Sequence, residues 1–423
     1  MAMNNFSINS SKNRKSADNS ILGKVERFQE ELQLHEKHGL NSYKKHPYIV
    51  GASKKNTKFH NRFSKEEKSV LMFGSNSYLG VAEIEDVTEE AIRVLREFGI
   101  GSGSSYPLTG HTIYHESLEK KISELYGCED AVIFSSGYGT NLGLISALAR
   151  PGNLIIHDRL NHASLIDGTI LSGATMKRFK HNDMNSLVEI LEETRNEYKG
   201  KTIIVSEGVF SMDGDIANLP ELIAISKQYD TLLVLDEAHG LGVIGEHGRG
   251  SFSYHNISEH DNVIISGTLS KSIGAVGGFV TGKKEIIDYV RIYARSTCYS
   301  TTLPPDICAA AVKVLEIMES TDVVEKLKNN YRYAISEFRK NGFNIMNTET
   351  AVIPVIIDCT VLSKLSNDLE EYGIVANPVF PDAVPPNKTR IRVSIMASHT
   401  KKDIDYLISV MVKLFDRYGL CRK

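Results

Sequence analysis

The sequence predicts an α/β protein with a mostly parallel central sheet and a smaller C-terminal α+β domain. Short apolar runs alternate with amphipathic stretches long enough for helices, which is typical of strands joined by crossover helices. The runs are apolar throughout rather than alternating, as expected for parallel strands that are covered on both faces. They are AVIFSS (131–136), NLIIHD (153–158), TIIVSEG (202–208), TLLVLDE (231–237) and NVIISG (262–267).

Composition limits the classes of protein that the chain can belong to. Its 423 residues are enough for one large domain and a smaller one. The net charge of −3 offers no basic surface for nucleic acid or an anionic membrane, and no apolar run approaches the length of a membrane span. The five cysteines are odd in number, scattered and without metal-ligand spacing, which favours a reducing, cytoplasmic location.

Four segments follow one another along the chain. Residues 1–20 are polar and lack the apolar core of a secretory signal, so we expect a disordered tail, with an organelle transit peptide as the alternative. The N-terminal segment, 21–75, should begin with a helix, because Ile21, Val25 and Phe28 recur at helical spacing. The large domain is expected over 76–315. The small C-terminal domain, 316–423, contains the predicted strands AVIPVIID (351–358) and RIRVSIM (390–396).

Polar, ionisable or glycine residues follow each predicted strand of the large domain, where ligands collect in parallel sheets. Asp236 ends one strand, and His239 follows three residues later. The letters DEAH here also match nucleotide-hydrolysing helicases, but the sequence lacks the G-x-x-x-x-G-K-S/T loop that such proteins need. The stretch SSGYGTNLG (135–143) brings glycines to a helix start, where backbone N–H groups bind phosphate; a glycine-rich turn without a ligand is the alternative.

Lys271 is the least expected residue in the chain. It lies among glycines and hydroxyls in SGTLSKSIGAVGGFVTG (266–282), directly after a predicted buried strand, although lysine is rarely buried. A lysine in such surroundings is available for Schiff-base chemistry with an aldehyde.

An aromatic aldehyde that carries a phosphate would account for the polar residues at the other strand ends. Asp236 could keep a ring nitrogen protonated, because an opposite charge favours the charged form. His239 and Ser211 are suited to contact a phenolic oxygen, and His162 could lie against the ring face, although a lone histidine is more often structural. The groups available for the phosphate are Gly137, Tyr138, Thr268 and Ser270.

These residues lie in motifs that resemble the α-oxoamine synthases, pyridoxal 5'-phosphate (PLP) enzymes of fold type I. The family includes 8-amino-7-oxononanoate synthase, 2-amino-3-ketobutyrate ligase, 5-aminolevulinate synthase and serine palmitoyltransferase. The similarity extends from HPYIVG at residue 46 to ISVMVKLF at 408–415. Its motifs are NSYLG (76–80), IFSSGYGTNLG (133–143), NHASLIDG (161–168), EGVFSMDGDIANLPEL (207–222), DEAHGLGVIGEHGRG (236–250), GTLSKSIGAVGGF (267–279), YSTTLPP (299–305) and TRIRVSIMASHT (389–400).

The resemblance implies PLP as the cofactor, bound by the large domain. Lys271 would form the Schiff base with it, Asp236 would bind the pyridine nitrogen, and His162 would stack on the ring and could hydrogen-bond the substrate carboxylate. The further cofactor contacts implied within the same chain are Gly137, Tyr138, Ser211, His239 and Thr268.

The resemblance also implies a partner subunit and a substrate site. Family members are homodimers with the active site at the interface, so Ser300 and Thr301 would reach the phosphate of the neighbouring subunit. Asn76 and Arg392 would bind the carboxylate of the amino acid, a task that suits the fork of an arginine. Arg390, two residues before Arg392, is expected on the opposite face of the strand.

The implied reaction condenses serine, alanine or glycine with an acyl thioester of coenzyme A or acyl carrier protein, usually with loss of carbon dioxide, to an α-amino ketone. The string SIMASHT (394–400) resembles bacterial serine palmitoyltransferases and slightly favours serine. In contrast, Tyr106-Pro107-Leu108 replace the arginine or similar residue usual in the family, which leaves both substrates open. An oxononanoate-type synthase, a glycine acyltransferase and a secondary-metabolism or signalling-molecule synthase are alternatives, and a fold type I aminotransferase is a more distant one.

Overall fold

The computed structural model describes residues 20–37, 48–60, 66–81, 84–258, 261–381 and 383–422. The predicted polar tail, residues 1–20, lies outside this part of the chain apart from its last residue. None of the helices in the described part is both long enough and apolar enough to cross a membrane. The helices are α1 (Ile21–Lys37), α2 (Glu85–Phe98), α3 (Ile113–Tyr126), α4 (Gly137–Leu148), α5 (Ala163–Ser172), α6 (Met184–Tyr198), α7 (Leu219–Gln228), α8 (Gly250–Tyr254), α9 (Lys284–Tyr293), α10 (Arg295–Cys298), α11 (Pro305–Ser320), α12 (Val323–Lys340), α13 (Cys359–Glu371) and α14 (Lys401–Arg417).

A seven-stranded sheet forms the centre of the molecule, in the order β4-β10-β9-β8-β7-β5-β6. All its neighbouring strands are parallel except β10, which is antiparallel to both β4 and β9. The register pairs Glu207 with Asp236 and Asp236 with Ser266, so three of the predicted strand ends meet at one edge. The strands of the molecule are β1 (Tyr48–Val50), β2 (Asn56–His60), β3 (Glu67–Met72), β4 (Asp130–Phe134), β5 (Leu154–Asp158), β6 (Thr175–Phe179), β7 (Thr202–Glu207), β8 (Leu232–Asp236), β9 (Val263–Thr268), β10 (Gly278–Gly282), β11 (Val352–Ile356), β12 (Ile374–Val375), β13 (Asn377–Val379) and β14 (Arg390–Ser394).

The five apolar runs are strands, as predicted. Every residue of β5, β7 and β9 is buried, because helices cover both faces of the sheet. Strands β6 and β10 were not predicted. β6 is an edge strand with the polar sequence TMKRF. β10 begins in the glycine-rich stretch, where a side chain on Gly278 would clash with the Thr140 hydroxyl oxygen.

The C-terminal part of the chain forms a smaller α+β domain, as expected. Its own sheet is antiparallel, in the order β11-β14-β13. A second sheet, β1-β2-β3-β12, joins the N-terminal segment to this domain, because β12 pairs in parallel with β3. An ion pair between Lys55 and Asp403, 3.1 Å long, connects the same two regions. The predicted limit of the large domain at residue 315 falls inside α11.

Candidate active site

Lys271 lies in the tight loop that joins β9 to β10. The loop is closed by hydrogen bonds from Leu269 N to the carbonyl of Gly277, 2.9 Å, and from Gly274 N to the carbonyl of Lys271, 3.0 Å. Gly274 and Gly277 have φ values of 71° and 122°, a region that favours glycine, so the turn explains their presence.

The charge on the Lys271 amine is disfavoured in this position. Burial lowers its pKa to about 8, although the carboxylates of Asp236 and Glu207 act in the opposite direction; the Arg392 guanidinium contributes to the lowering. A larger fraction of the amine is therefore unprotonated near neutral pH than for an exposed lysine. This is the state in which an amine attacks an aldehyde.

Asp236 ends β8 and is buried, with hydrogen bonds to both carboxylate oxygens. Oδ2 accepts from Asn141 Nδ2 at 2.7 Å, and Oδ1 accepts from the backbone N–H of Ala238 at 2.9 Å. Asn141 also accepts a hydrogen bond from the Ser266 hydroxyl, 2.8 Å, so two strands and α4 meet at this carboxylate. A carboxylate offers about four acceptor sites, which leaves capacity for a ring N–H.

His162 is the N-cap residue of α5. Its Nδ1 accepts from the backbone N–H of Ser164 at 3.3 Å and lies 2.8 Å from the hydroxyl of the same residue. Burial lowers the pKa of His162, against the influence of the Asp236 carboxylate, which favours a neutral ring. Tyr138 lies edge-on to this ring at 6.2 Å between centroids, and its hydroxyl donates to the Asp167 carboxylate.

The residues expected at the phosphate lie around the N-terminus of α4. Gly137 is its first residue, and a Cβ added there would come within 2.7 Å of the Thr268 side chain. The Thr268 and Ser270 hydroxyls are 2.8 Å apart, and the Ser300 hydroxyl is 3.4 Å from that of Ser135 beside this helix start. Backbone N–H groups and hydroxyls at a helix N-terminus form a suitable site for a phosphate.

Thr301 pairs with Ser105 in a short β-bridge within the same chain. The structure describes one copy of the chain, so the predicted contact of Ser300 and Thr301 with a neighbouring subunit stays a prediction.

His239 is buried, and its Nδ1 lies 2.8 Å from the hydroxyl of Tyr78. Burial lowers the pKa of His239 well below its usual value, and the positive charges of Lys271 and Arg392 contribute to this. The ring is therefore neutral. Tyr78, within the NSYLG motif, was not singled out in the sequence, because a hydrogen bond between residues so far apart leaves no local pattern.

Arg392 lies in β14 and reaches across to the large domain. Its Nε donates to the carbonyl of Ser211 at 2.8 Å, and one terminal nitrogen donates to Asn76 Oδ1 at 2.8 Å. The second terminal nitrogen lies 3.4 Å from the hydroxyl of Tyr78. The structure thus brings together Asn76, Ser211 and Arg392, three residues from distant parts of the chain.

The expectation that Arg390 lies on the opposite face from Arg392 is wrong. Residues two apart in a strand share a face, and both guanidinium groups contact the same loop. Arg390 donates to the carbonyl of Met212 at 2.8 Å and to the Asp213 carboxylate at 2.5 Å. With 1% of its surface exposed, Arg390 is a buried structural partner of this loop.

Glu207 ends β7 as a buried carboxyl group. Its Oε2 accepts from the backbone N–H of Ser211 at 3.2 Å, while Oε1 has no hydrogen-bond partner among the described residues. Burial raises the pKa of this carboxyl to about 8, and the neighbouring Asp236 charge adds to the effect. An orphaned polar atom beside Lys271 and Asp236 indicates a place for a polar ligand.

The string SIMASHT adjoins the site through its first residue: the Ser394 hydroxyl accepts from Arg392 at 3.1 Å and donates to Asn76 Oδ1 at 3.4 Å. His399 is buried and stacks on Phe73 at 4.2 Å, and it lies 3.0 Å from the carbonyl of Met72. Its Nδ1 accepts from the backbone N–H of Met396 at 2.9 Å. His399 thus supports the segment that leads to Asn76, and the preference for serine stays a prediction.

Tyr106, in the stretch that departs from the family pattern, begins a π-helical turn, Tyr106–Gly110. Its hydroxyl donates to Glu119 at 3.3 Å, beside His111 and Arg291. Leu108, in the same turn, is 75% exposed.

Comparisons with known proteins agree with this arrangement. The model of the family "Aminotransferase class I and II" matches residues 68–411. An 8-amino-7-oxononanoate synthase of Geotalea daltonii is 40% identical over 357 residues, which cover 84% of this chain and 90% of the relative. A serine palmitoyltransferase of Sphingobacterium spiritivorum is 40% identical over 350 residues, which cover 82% and 87%.

Solved structures give the same result. A serine palmitoyltransferase from Sphingomonas wittichii superposes with a TM-score of 0.88 at 30% identity, over 95% of this chain and 99% of that one. The enzyme from S. paucimobilis, solved as a variant with a bound adduct of PLP and myriocin, gives 0.88 at 28% identity over the same shares.

The fold and the site therefore define a fold type I PLP-dependent transferase. Within that class, the chain belongs to the aminotransferase class I and II family and to its α-oxoamine synthase branch.

The residues of the site fit PLP. Lys271 supplies a buried amine, Asp236 a buried carboxylate with acceptor capacity to spare, and Gly137 a helix start next to the hydroxyl of Thr268. His162 supplies a neutral ring in the same region.

Proposed function

We propose that the protein condenses a small α-amino acid with an acyl thioester to give an α-amino ketone, with release of the thiol and of carbon dioxide. One observation carries the proposal: the guanidinium of Arg392 donates to Asn76 and lies 3.4 Å from the hydroxyl of Tyr78, which in turn lies 2.8 Å from Nδ1 of His239. A carboxylate-binding group and a cofactor-binding group thus share one buried site.

PLP, when bound, supplies an electron sink for bond breaking at the α-carbon of the amino acid. Lys271 would hold the cofactor through its Nζ, and the same amine, when free, would accept the proton from the α-carbon of the amino acid. The low proton affinity of the buried amine suits both tasks, because it must be unprotonated to begin each of them. The Asp236 carboxylate would keep the ring nitrogen of the cofactor protonated.

The other residues orient the reacting groups. Arg392 and Asn76 bind the carboxylate of the amino acid, where a planar guanidinium makes two parallel hydrogen bonds. His239 and Ser211 would contact the phenolic oxygen of the cofactor, and His162 would cover its ring. Gly137, Tyr138 and Thr268 would bind the phosphate of the cofactor, together with Ser300 and Thr301 of the neighbouring subunit.

A homodimer is part of the proposal. Large apolar side chains are exposed at residues 100, 108 and 299, in the two segments that meet at the bridge between Ser105 and Thr301, and at residue 276 in the loop that carries Lys271. Such surfaces mark sites of association. A hydrogen bond from Thr302 N to the carbonyl of Ser104 joins the two segments that carry most of them. The exposed residues are Ile100 (89%), Leu108 (75%), Val276 (58%) and Tyr299 (78%).

Sedimentation of the wild type and of Leu108→Glu tests the proposed homodimer. The wild type should sediment as a dimer, and a monomeric wild type would contradict the proposal.

A cytoplasmic location is proposed as well. It rests on the five cysteines, all of which are free thiols in the structure.

The reaction class is tested with L-serine, L-alanine and glycine, each supplied with an acyl-coenzyme A and, in parallel, with an acyl carrier protein thioester. We expect free thiol to appear in step with an α-amino ketone for at least one combination. Formation of a keto acid together with a stable pyridoxamine form, without thiol release, would instead identify an aminotransferase. Comparison of the three amino acids decides among the substrates that the sequence leaves open.

A further inference from the structure

A partly buried ionic cluster is centred on His181, and the mechanism above does not use it. His181 follows β6 in the stretch FKHND, and both ring nitrogens face carboxylates. Nδ1 lies 3.0 Å from Asp158 at the end of β5, and Nε2 lies 2.9 Å from Asp215. The ring also packs edge-on against Phe210 at 4.4 Å between centroids.

Two carboxylate partners require a protonated ring. A neutral imidazole has one N–H and can donate to one acceptor, whereas an imidazolium donates from both nitrogens. Burial opposes the charge on His181, but the hydrogen bonds and charges of Asp158 and Asp215 outweigh it and raise its pKa to about 10. His181 is thus a cation that connects the central sheet to the segment that contains Asp215.

That segment is the Ser211 loop, defined here as residues 210–215. It turns back on itself through hydrogen bonds from Gly214 N to the carbonyl of Phe210, 2.9 Å, and from Phe210 N to the carbonyl of Asp215, 3.0 Å. A displacement of Asp215 would therefore also displace the N-terminal end of the loop, to which it is hydrogen-bonded. At its tip, the carbonyl of Ser211 accepts from Nε of Arg392.

The neighbour of His181 reinforces the same attachment. Asn182 has a φ of 52°, a conformation that asparagine tolerates better than most residues. Its Nδ2 donates to the carbonyl of Ile216 at 3.1 Å, and its backbone N–H donates to Asp158 at 2.7 Å. Two successive residues of the stretch FKHND thus hold the C-terminal end of the Ser211 loop: His181 contacts Asp215, and Asn182 contacts the next residue, Ile216.

A metal ion does not account for the cluster. His181, Asp213 and Asp215 present ligand atoms within 4.8 Å of one another. However, Arg390 already neutralises Asp213, and Asp158 already pairs with His181. Ion pairs explain the cluster as it stands.

We propose that His181 is a positioning residue for the amino-acid substrate: it fixes the Ser211 loop through Asp215, so that the carbonyl of Ser211 holds the guanidinium of Arg392 in line with the incoming carboxylate. The inference rests on the carboxylate-binding role proposed for Arg392.

The test compares wild-type holoenzyme with His181→Gln, which can donate to only one of the two carboxylates. The absorbance change of the bound cofactor is titrated separately with L-serine, L-alanine and glycine. We expect the Kd for the amino acid to rise about 10-fold, the size of one lost charge-assisted hydrogen bond, with PLP affinity unchanged within about 2-fold. Val314→Ala, a cavity variant in α11, serves as a control with a lowered melting temperature and an unchanged Kd.

A double variant shows whether the effect passes through Arg392. In an Arg392→Ala background, His181→Gln should change the Kd by less than about 2-fold, because the group that it positions is gone. If the losses in amino-acid affinity of the two single variants add in the double variant, the inference is overturned. It is also overturned if the Kd of His181→Gln alone stays within about 2-fold of wild type, or if Val314→Ala raises the Kd as much as His181→Gln does.

Failure of the proposed function gives a different result. If Arg392→Ala binds amino acids as wild type does, the role of Arg392 is wrong, and the inference falls with it. If His181→Gln does not fold, Asp215→Asn replaces it, because it keeps an acceptor for His181 and removes one charge. A smaller rise in Kd is then expected, and no rise overturns the inference.

Discussion

The hydroxyl of Tyr78 lies 2.8 Å from Nδ1 of His239, in the buried centre of the site. Burial raises the pKa of Tyr78, so its hydroxyl keeps its proton and can donate. Since His239 is neutral, a hydrogen bond accepted at Nδ1 places its own proton on Nε2. Tyr78 therefore selects the tautomer in which His239 can donate a hydrogen bond to the cofactor oxygen.

Replacing Tyr78 by Phe should lower turnover about 10-fold while PLP remains bound, because one buried hydrogen bond contributes about 0.5–1.5 kcal/mol and the tautomer is no longer fixed. The measurement is steady-state kinetics together with the absorption spectrum of the bound cofactor. Tyr126→Phe is a matched control, since the buried hydroxyl of Tyr126 has no hydrogen-bond partner in the described part of the chain. Equal rates for Tyr78→Phe and wild type would contradict the role of Tyr78.

Lys271→Ala should abolish turnover, because it removes both the anchor of the cofactor and the group that accepts the α-proton. Borohydride treatment of the wild type should attach the cofactor to Lys271, which peptide mass spectrometry detects. The control is Lys283→Ala, a half-buried lysine that pairs with Asp261 just beyond β10. A wild-type protein that binds no PLP would refute the assignment of the whole site.

Asp236→Asn should still bind PLP but lose at least about 100-fold in rate, the usual effect of removing a charge that stabilises the transition state. The amide has nearly the shape of the carboxylate, so the loss reports on charge rather than packing. Single-turnover kinetics on the PLP-loaded variant measures it. Near-normal turnover would reassign Asp236 to a structural role.

Glu207 makes stability depend on pH. Because its pKa is raised from 4.5 to about 8, the folded protein without cofactor holds a proton that the unfolded chain releases above pH 4.5. The stabilisation from this proton is complete below pH 4.5 and is lost as the pH rises through 8.

Relative to Glu207→Gln, which cannot titrate, the free energy of unfolding of the wild type should thus fall between pH 5 and pH 8. The slope is at most about 1.4 kcal/mol per pH unit. Urea unfolding of both proteins without cofactor measures this difference, and parallel stability curves would argue against a proton on Glu207.

The central strands were predictable from the sequence because burial on both faces gives continuous apolar runs, as in β5 and β7. Asp236 was predictable because it ends such a run, and Lys271 because it lies a few residues after one. Strand β10 was not, since its glycines reflect close approach to α4 and resemble a loop in composition.

The supporting residues were beyond reach of the sequence for a different reason. Asn141 contacts Asp236, and His181 contacts Asp158 and Asp215, through hydrogen bonds that depend on how whole elements pack. Such contacts have no period along the chain. Asn141 lies in the stretch NLG and His181 in the stretch KHND, but neither stretch indicates which residues these side chains contact.

The parallel pairing of β3 with β12 has a consequence for the order of events on the ribosome. All strands of the central sheet, up to Gly282, leave the exit tunnel before Ile374 is made, so the edge of β3 that pairs with β12 stays unpaired while that sheet is synthesised. Asn76 likewise emerges 316 positions ahead of Arg392. The nascent chain can thus build its lysine-bearing sheet early, whereas the pair of residues proposed to bind the amino-acid carboxylate is complete only once β14 has been made.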